Sequence, residues 1–204
     1  MIQKLFSKKT ESNLPLVKIN DKKVIFIHIN KTGGTSIYNA LGLKNKIHIT
    51  ARHIIDQIGE DEWKNAYKLS FVRNPWDKVV SHYKYKVKTN KQNLKVNTLS
   101  FKEWVMKTYG NNKDYYYFNN PIMFQPQLDW LVDHKGNIDI NFIGKFEHIE
   151  EDFQKLCAHL GIEKKLPHLN STSKDNYKDF YDDTTKEMIA HWFKKDIEKF
   201  KYEF

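Results

Sequence analysis

The chain has 204 residues, 40% hydrophobic and 14% aromatic, which is ample for one buried core. Lys and Arg number 34 against 25 Asp and Glu, a formal net charge of +9; this favours anionic partners without choosing among nucleotides, acidic glycans, nucleic acid and anionic lipid. A single cysteine, Cys157, excludes an internal disulfide and a cysteine-built zinc cluster, and no stretch reaches the ~20 apolar residues of a membrane span.

Residues 1–20 read as a polar lead-in with a short strand at Leu16–Ile19 and no signal-peptide apolar region, and residues 21–204 as one domain. Val24-Ile25-Phe26-Ile27 is a β-branched apolar run too short for a free-standing helix, so a buried, parallel strand is expected. Asn30-Lys31-Thr32-Gly33-Gly34-Thr35-Ser36 breaks the run, and Ile37, Ala40 and Leu41 follow at helical spacing. A helix is expected from Ala51, with Ile54, Ile55 and Ile58 inward and Gly59 closing it. Tyr67–Val72 is a second strand. Asn74 then suits an N-cap and Pro75 the first helical position, and Trp76, Val79, Val80 and Tyr83 form an amphipathic stripe.

From Lys84 to Asn120 the chain is rich in Lys, Asn and Tyr, with one helix expected near Phe101–Tyr109. These long loops read either as binding segments or as a solvated face. A short helix is expected over Gln125–Val132 and a third strand over Asn141–Gly144. The next helix carries Ile149, Phe153, Leu156, Cys157 and Leu160 on one face and ends at Gly161. A polar loop follows Leu166, and a last helix runs from Thr184 with Met188, Ile189, Trp192, Phe193 and Ile197 inward. Strands alternating with helices predict an α/β fold with a central, mostly parallel sheet flanked by helices, in which ligands bind beyond the carboxyl ends of the strands.

Two strand-to-helix junctions carry the chemistry. In the first, Gly33-Gly34 lets backbone N–H groups turn inward at a helix N-terminus, and Lys31, Thr32, Thr35 and Ser36 add side-chain donors, a set suited to a phosphate-like anion. The order of residues differs from the G-x-x-x-x-G-K-[ST] loop of nucleotide triphosphatases, because the lysine precedes the glycines. An ordinary βα turn uses the same glycines for geometry alone. In the second junction Arg73 stands at the mouth of the strand.

KTGGTS after one strand and FVRNPWDKVVSHYKY after another resemble the sulfotransferases that use 3′-phosphoadenosine 5′-phosphosulfate (PAPS), in the branch of heparan sulfate 2-O-sulfotransferase and its bacterial relatives. IHITAR, PQLDWL, NFIGKFEHIEEDF, LPHLNSTSKDNY and DIEKFKYEF extend the resemblance from about residue 22 to the C-terminus. The resemblance implies a P-loop-type three-layer α/β sandwich. It also implies that Lys31, Thr32, Gly33, Gly34, Thr35 and Ser36 hold the 5′-phosphosulfate and that Arg73 and Ser81 hold the 3′-phosphate. Ser173 and Lys174 fall in the segment that closes over the nucleotide. No metal is expected, and the product nucleotide is adenosine 3′,5′-bisphosphate.

Sulfuryl transfer is an in-line displacement governed by positioning and electrostatics, so Lys31 is the candidate to meet charge on the departing phosphate. The acceptor hydroxyl needs a base; His48 matches the catalytic histidine region of the resembling branch, and His53 is the alternative. Arg52 is a candidate for acceptor or nucleotide, and His82 reads as a neighbour of the 3′-phosphate helix. Trp104, Trp130 and the Tyr115–Tyr117 run are candidate sugar platforms, Trp76 a core residue, and Glu147 either a supporting partner or a helix-start carboxylate. The expected acceptor is a carbohydrate, acidic in the fullest form of this reading. Nucleic acid is not expected as a partner, and membrane contact is expected only through a lipid-linked acceptor. Because Golgi relatives carry an N-terminal anchor that this chain lacks, a bacterial-type cytoplasmic setting is expected. The competing readings are a P-loop nucleotide kinase and a non-catalytic basic glycan- or nucleic-acid-binding module.

Overall fold

The computed structural model describes residues 14–96, 99–167 and 175–204. In chain order the elements are β1 (Leu16–Ile19), β2 (Lys22–Ile27), α1 (Gly34–Leu41), α2 (Ala51–Ile58), α3 (Glu60–Asn65), β3 (Tyr67–Val72), α4 (Pro75–Lys88), α5 (Phe101–Tyr109), α6 (Leu128–Leu131), β4 (Phe142–Lys145), α7 (Ile149–Leu160), α8 (Asp183–Trp192) and α9 (Lys194–Phe200), with short 3₁₀ turns between. They gather into two compact units, residues 14–72 with 129–167 and residues 73–128 with 175–204. Among the described residues no helix is long and apolar enough to cross a membrane.

The first unit is built on a four-stranded sheet in the order β1-β2-β3-β4. β1 and β2 form an antiparallel hairpin whose turn residues, Asn20 and Asp21, both take positive φ, the geometry that matches strand twist. β2, β3 and β4 are parallel, with Phe26 opposite Leu69 and Leu69 opposite Phe142. Alternation sends Val24, Phe26, Leu69 and Phe71 to one face, where they pack on Ile37, Tyr38 and Leu41 of α1 and on Phe153, Leu156, Cys157 and Leu160 of α7. A Cβ on Gly144 of β4 would overlap the Phe71 ring, so only glycine fits there. Lys68 points to the other face, where its Nζ reaches the Trp63 carbonyl of α3 at 3.2 Å and Asp139 at 3.1 Å. The strands are thus covered on both faces, and the near-continuous apolar pattern of β2 follows from that.

The second unit packs α4, α5, α8 and the segment around Phe124 about Trp76, Val80, Trp104, Tyr109, Ile189 and Phe193. Asn74 caps α4 by accepting from the Trp76 N–H at 3.1 Å, and Ser100–Glu103 and Asp182–Thr185 form capping boxes on α5 and α8.

Three elements differ from the sequence expectation. The last helix divides at Phe193 (φ −102°, ψ 22°), a fully buried residue, and the break turns Asp196 inward as an acceptor for Gln127 and Leu128. The helix expected over Gln125–Val132 shrinks to α6, because Pro126 disfavours helix in the preceding residue and the Asp196 carboxylate takes the Gln127 and Leu128 N–H groups. The unexpected α3 starts at Glu60 directly after Gly59, carries Glu60, Asp61 and Glu62 in its first turn, and buries Trp63.

Candidate active site

In the first unit the chain leaves β2 through His28, Ile29 and Asn30, all buried, and turns at Lys31 (φ 67°) and Gly33 (φ 79°) before α1 begins at Gly34. The Thr32 hydroxyl donates to the Ile29 carbonyl at 2.9 Å and closes this turn. A Cβ on Gly33 would overlap the Ile149 side chain and crowd Phe146, and one on Gly34 would overlap the His28 imidazole. Both glycines are therefore demanded by close approach, and Gly33 by its left-handed backbone as well. No side chain caps α1, and its first turn carries no acid. The N–H groups of that turn and the positive end of the helix thus meet no protein carboxylate of their own helix, as an anion site requires. Lys31, Thr35 and Ser36 are half-buried at its edge.

His28 links this loop to the candidate base. Its carbonyl lies 2.8 Å from His48 Nδ1, and the two rings stand 4.2 Å apart. A carbonyl only accepts, so His48 Nδ1 carries the proton and Nε2 carries the lone pair, the tautomer a general base needs. His48 is further fixed by Trp130, whose ring meets it edge-on at 6.2 Å. The His28 ring lies between Phe26 and Tyr38, and its Nδ1 has no hydrogen-bond partner among the described residues. Burial, then the potential of His48 and Lys46, holds the His28 imidazole well below the ordinary histidine value. His28 is neutral at pH 7 in consequence.

His53 is placed differently. It is exposed, its Nδ1 lies 2.6 Å from the hydroxyl of Thr50, and Thr50 caps α2. Arg52 donates from Nε to the Asp133 carbonyl at 3.0 Å.

In the second unit Arg73 is 4% exposed and donates from Nε to Asp77 at 2.7 Å. Its main chain is clasped from both sides by Gln127, whose Oε1 accepts from the Arg73 N–H at 2.9 Å and whose Nε2 donates to the Arg73 carbonyl at 2.7 Å. Asp196 anchors Gln127 in turn, accepting from its N–H at 2.7 Å and from Leu128 N–H at 2.9 Å. Ser81, also 4% exposed, stands one helical turn beyond Asp77 on α4. His82 packs against Trp104 and Phe124 as a core ring.

The structure thus brings Lys31–Ser36 and His48 together around His28, and Arg73 and Ser81 around Asp77. Ser173 and Lys174 lie outside the described residues. Trp104 and Trp130 are fully buried and cannot stack on a sugar, Trp76 lies in the core as expected, and Tyr115 and Tyr116 are exposed. Two surface clefts of about 710 and 750 Å³ are lined by none of the expected residues.

Sequence reasoning passed over His28, Gln127 and Asp196. The signal for His28 was a polar residue closing an apolar strand; Gln127 and Asp196 stand in the PQLDWL and DIEKFKYEF stretches, but nothing local to either stretch showed that the two side chains meet.

The sulfotransferase family model matches residues 16–203, nearly the whole chain. This chain belongs to the sulfotransferase family. An uncharacterized protein of Archaeoglobus fulgidus is 30% identical over 126 residues, which cover 61% of this chain and 93% of that protein. A solved sulfotransferase from Alicyclobacillus acidocaldarius aligns at 19% identity with a TM-score of 0.41, over 68% of this chain and 54% of that structure's length. Membership in the family supports sulfuryl transfer as the activity of this chain.

Proposed function

We propose that this sulfotransferase moves the sulfuryl group of PAPS to a hydroxyl of a carbohydrate. The observation that carries the reading is the single residue His28 beneath two functional parts, its ring under the uncapped start of α1 and its carbonyl holding His48 as an Nδ1–H tautomer. An anion loop and an oriented base are the two groups that transfer to an alcohol demands. The donor supplies a sulfuryl group on a phosphate that leaves as an anion.

The chain's own residues then divide the work. The loop N–H groups at Gly33–Ser36 orient the 5′-phosphosulfate, and Lys31 meets the charge that develops on the leaving oxygen. Arg73 and Ser81 take the 3′-phosphate. Gln127 fixes the Arg73 main chain from both sides, so the guanidinium starts from a defined position. His48 Nε2 accepts the proton of the attacking hydroxyl, while the His28 carbonyl keeps the imidazole turned for that role. His53 serves as the cap partner of α2.

The test is calorimetric titration with adenosine 3′,5′-bisphosphate in the absence of magnesium, with ATP as comparator. Micromolar-range binding that is lost in Arg73→Ala, with ATP much weaker, supports the reading. Absence of binding overturns it, and a preference for magnesium-ATP overturns it in favour of a nucleotide kinase.

A further inference from the structure

The cleft of about 710 Å³ lies wholly in the second unit, where the end of α5 and residues 110–112 face α8. None of its lining residues belongs to the anion loop, to the Arg73 junction or to the candidate bases. Its volume falls in the range of small-molecule sites. Asp183, Glu187 and His191 line it at four-residue spacing along one stripe of α8. Asp183 stands in the first helical turn, where the helix dipole favours a carboxylate, whereas Glu187 lies beyond that turn. Neither carboxylate forms an ion pair with a described residue, in a chain whose net charge is +9. Lys107, which also lines the cleft, is neutralised by Asp114 at 3.3 Å. Met106, Met188 and Trp192 supply the apolar wall. The Trp192 ring already carries one ammonium, that of Lys113, 4.6 Å from its centroid.

Tyr109 closes the inner side of this cleft. It is 4% exposed, and its ring is held among Trp104, Phe124, Trp192 and Phe193. Its hydroxyl nevertheless has no hydrogen-bond partner among the described residues, although the residue lines the cleft. Burial pushes the phenol far above its ordinary value of 10.0, so it stays protonated and neutral. A buried hydroxyl left unpaired costs free energy, and a polar ligand in the cleft supplies the missing partner. The cleft therefore combines two uncompensated carboxylates, an aromatic and thioether wall and an unpaired buried hydroxyl.

We infer that this cleft binds a linear polyamine. Asp183 and Glu187 stand one helical turn apart, roughly 5–6 Å between Cβ atoms, a span that two ammonium groups on a four-carbon stem can bridge. Trp192 with Met106 and Met188 matches the methylene stem, and the indole face also attracts cations. The Tyr109 oxygen accepts from an ammonium N–H. An anion of the same length meets the wrong charge at both carboxylates. The inference stands apart from sulfuryl transfer, because the cleft holds none of the residues assigned to that reaction.

The experiment is calorimetric titration of the full chain with spermidine at physiological salt, with butylamine and adipate as comparators. Spermidine is expected to saturate a single site. Butylamine, with one ammonium, should bind about tenfold more weakly or less, and adipate not at all. Asp183→Asn with Glu187→Gln should weaken spermidine about tenfold or more; both positions are exposed, so circular dichroism should not change. Tyr109→Phe keeps the ring and removes only the hydroxyl, and should weaken binding about fivefold. The thermal midpoint of that variant without ligand should stay level or rise, because the free chain loses no hydrogen bond. Glu60→Gln with Asp61→Asn, exposed acids on α3 outside the cleft, should leave binding unchanged. No saturable binding in the parent, full-strength binding in either cleft variant, an equal loss in the α3 variant, or tighter binding of adipate overturns the inference.

Discussion

Replacing Asp196 separates two ways in which a buried carboxyl acts. Its oxygens accept from the Gln127 N–H, the Leu128 N–H and, at 3.3 Å, the Gln127 side-chain amide. The residue has no exposure, and burial pushes its carboxyl above the ordinary value of 3.8, against the pull of those donors and of Lys78. A net upward shift means that the charge costs folding free energy while the oxygens, as acceptors, contribute it. Asp196→Ala orphans three buried donors; at about 1–3 kcal/mol each, less what relaxation and entering water recover, the loss should be about 3–5 kcal/mol. Asp196→Asn keeps a carbonyl oxygen and removes the charge, so its loss should be about 1–2 kcal/mol. Linkage gives a second signature. The folded state holds the Asp196 proton more tightly than the unfolded state, so this stabilising contribution is complete below 3.8 and is lost as pH rises through the higher folded value. Urea unfolding followed by tryptophan fluorescence across that acidic range measures both. Because Glu103, Asp133 and Asp182 are drawn below their ordinary values and gain with rising pH in both proteins, the signal is the difference: the parent should lose stability relative to Asp196→Asn as pH rises. Equal losses for Ala and Asn would refute the reasoning, because they would show that the charge, and not the acceptor oxygens, holds Gln127 and with it the Arg73 main chain.

Gly34→Ala places a methyl group on the His28 imidazole; a stability loss of about 1–3 kcal/mol is expected, with weaker binding of adenosine 3′,5′-bisphosphate, and unchanged titration would contradict the loop assignment. His28 should impose an acid limit: its folded value is depressed, so its contribution is present above 6.5 and is lost as pH falls through the folded value. The thermal midpoint should therefore drop on acidification in the parent and drop less in His28→Phe, which keeps an aromatic ring between Phe26 and Tyr38. Nitrogen-15 NMR should report His48 as the Nδ1–H tautomer; an Nε2–H signal at neutral pH would remove it as the base.

Much of the fold was legible because the local rules and the tertiary outcome agree. The buried run Val24–Ile27 became β2, the Gly-Gly break became the α1 junction, and Asn74-Pro75 opened α4. The expectation failed where a distant partner overrode local pattern. Residues 184–197 have a continuous helical stripe, yet Phe193 breaks it because Asp196 satisfies N–H groups about seventy positions earlier in the chain. Trp104 and Trp130 were equally good sugar platforms by sequence; only burial removed them, and only exposure kept Tyr115 and Tyr116.

The sequence by itself determined the strand–loop–helix order, the donor-rich Gly-Gly turn of Lys31–Ser36, the position of Arg73 at the end of a strand, and the excess of lysine in one segment. Each is a property of neighbouring residues, which periodicity, glycine geometry and charge counts record. Tertiary structure alone decided that His28 sits under Gly34 while its carbonyl selects the His48 tautomer, and that Gln127, held by Asp196, clasps the Arg73 main chain. The hydrogen bonds among these span twenty to seventy residues, and they have direction only once packing has brought donor and acceptor within 3 Å.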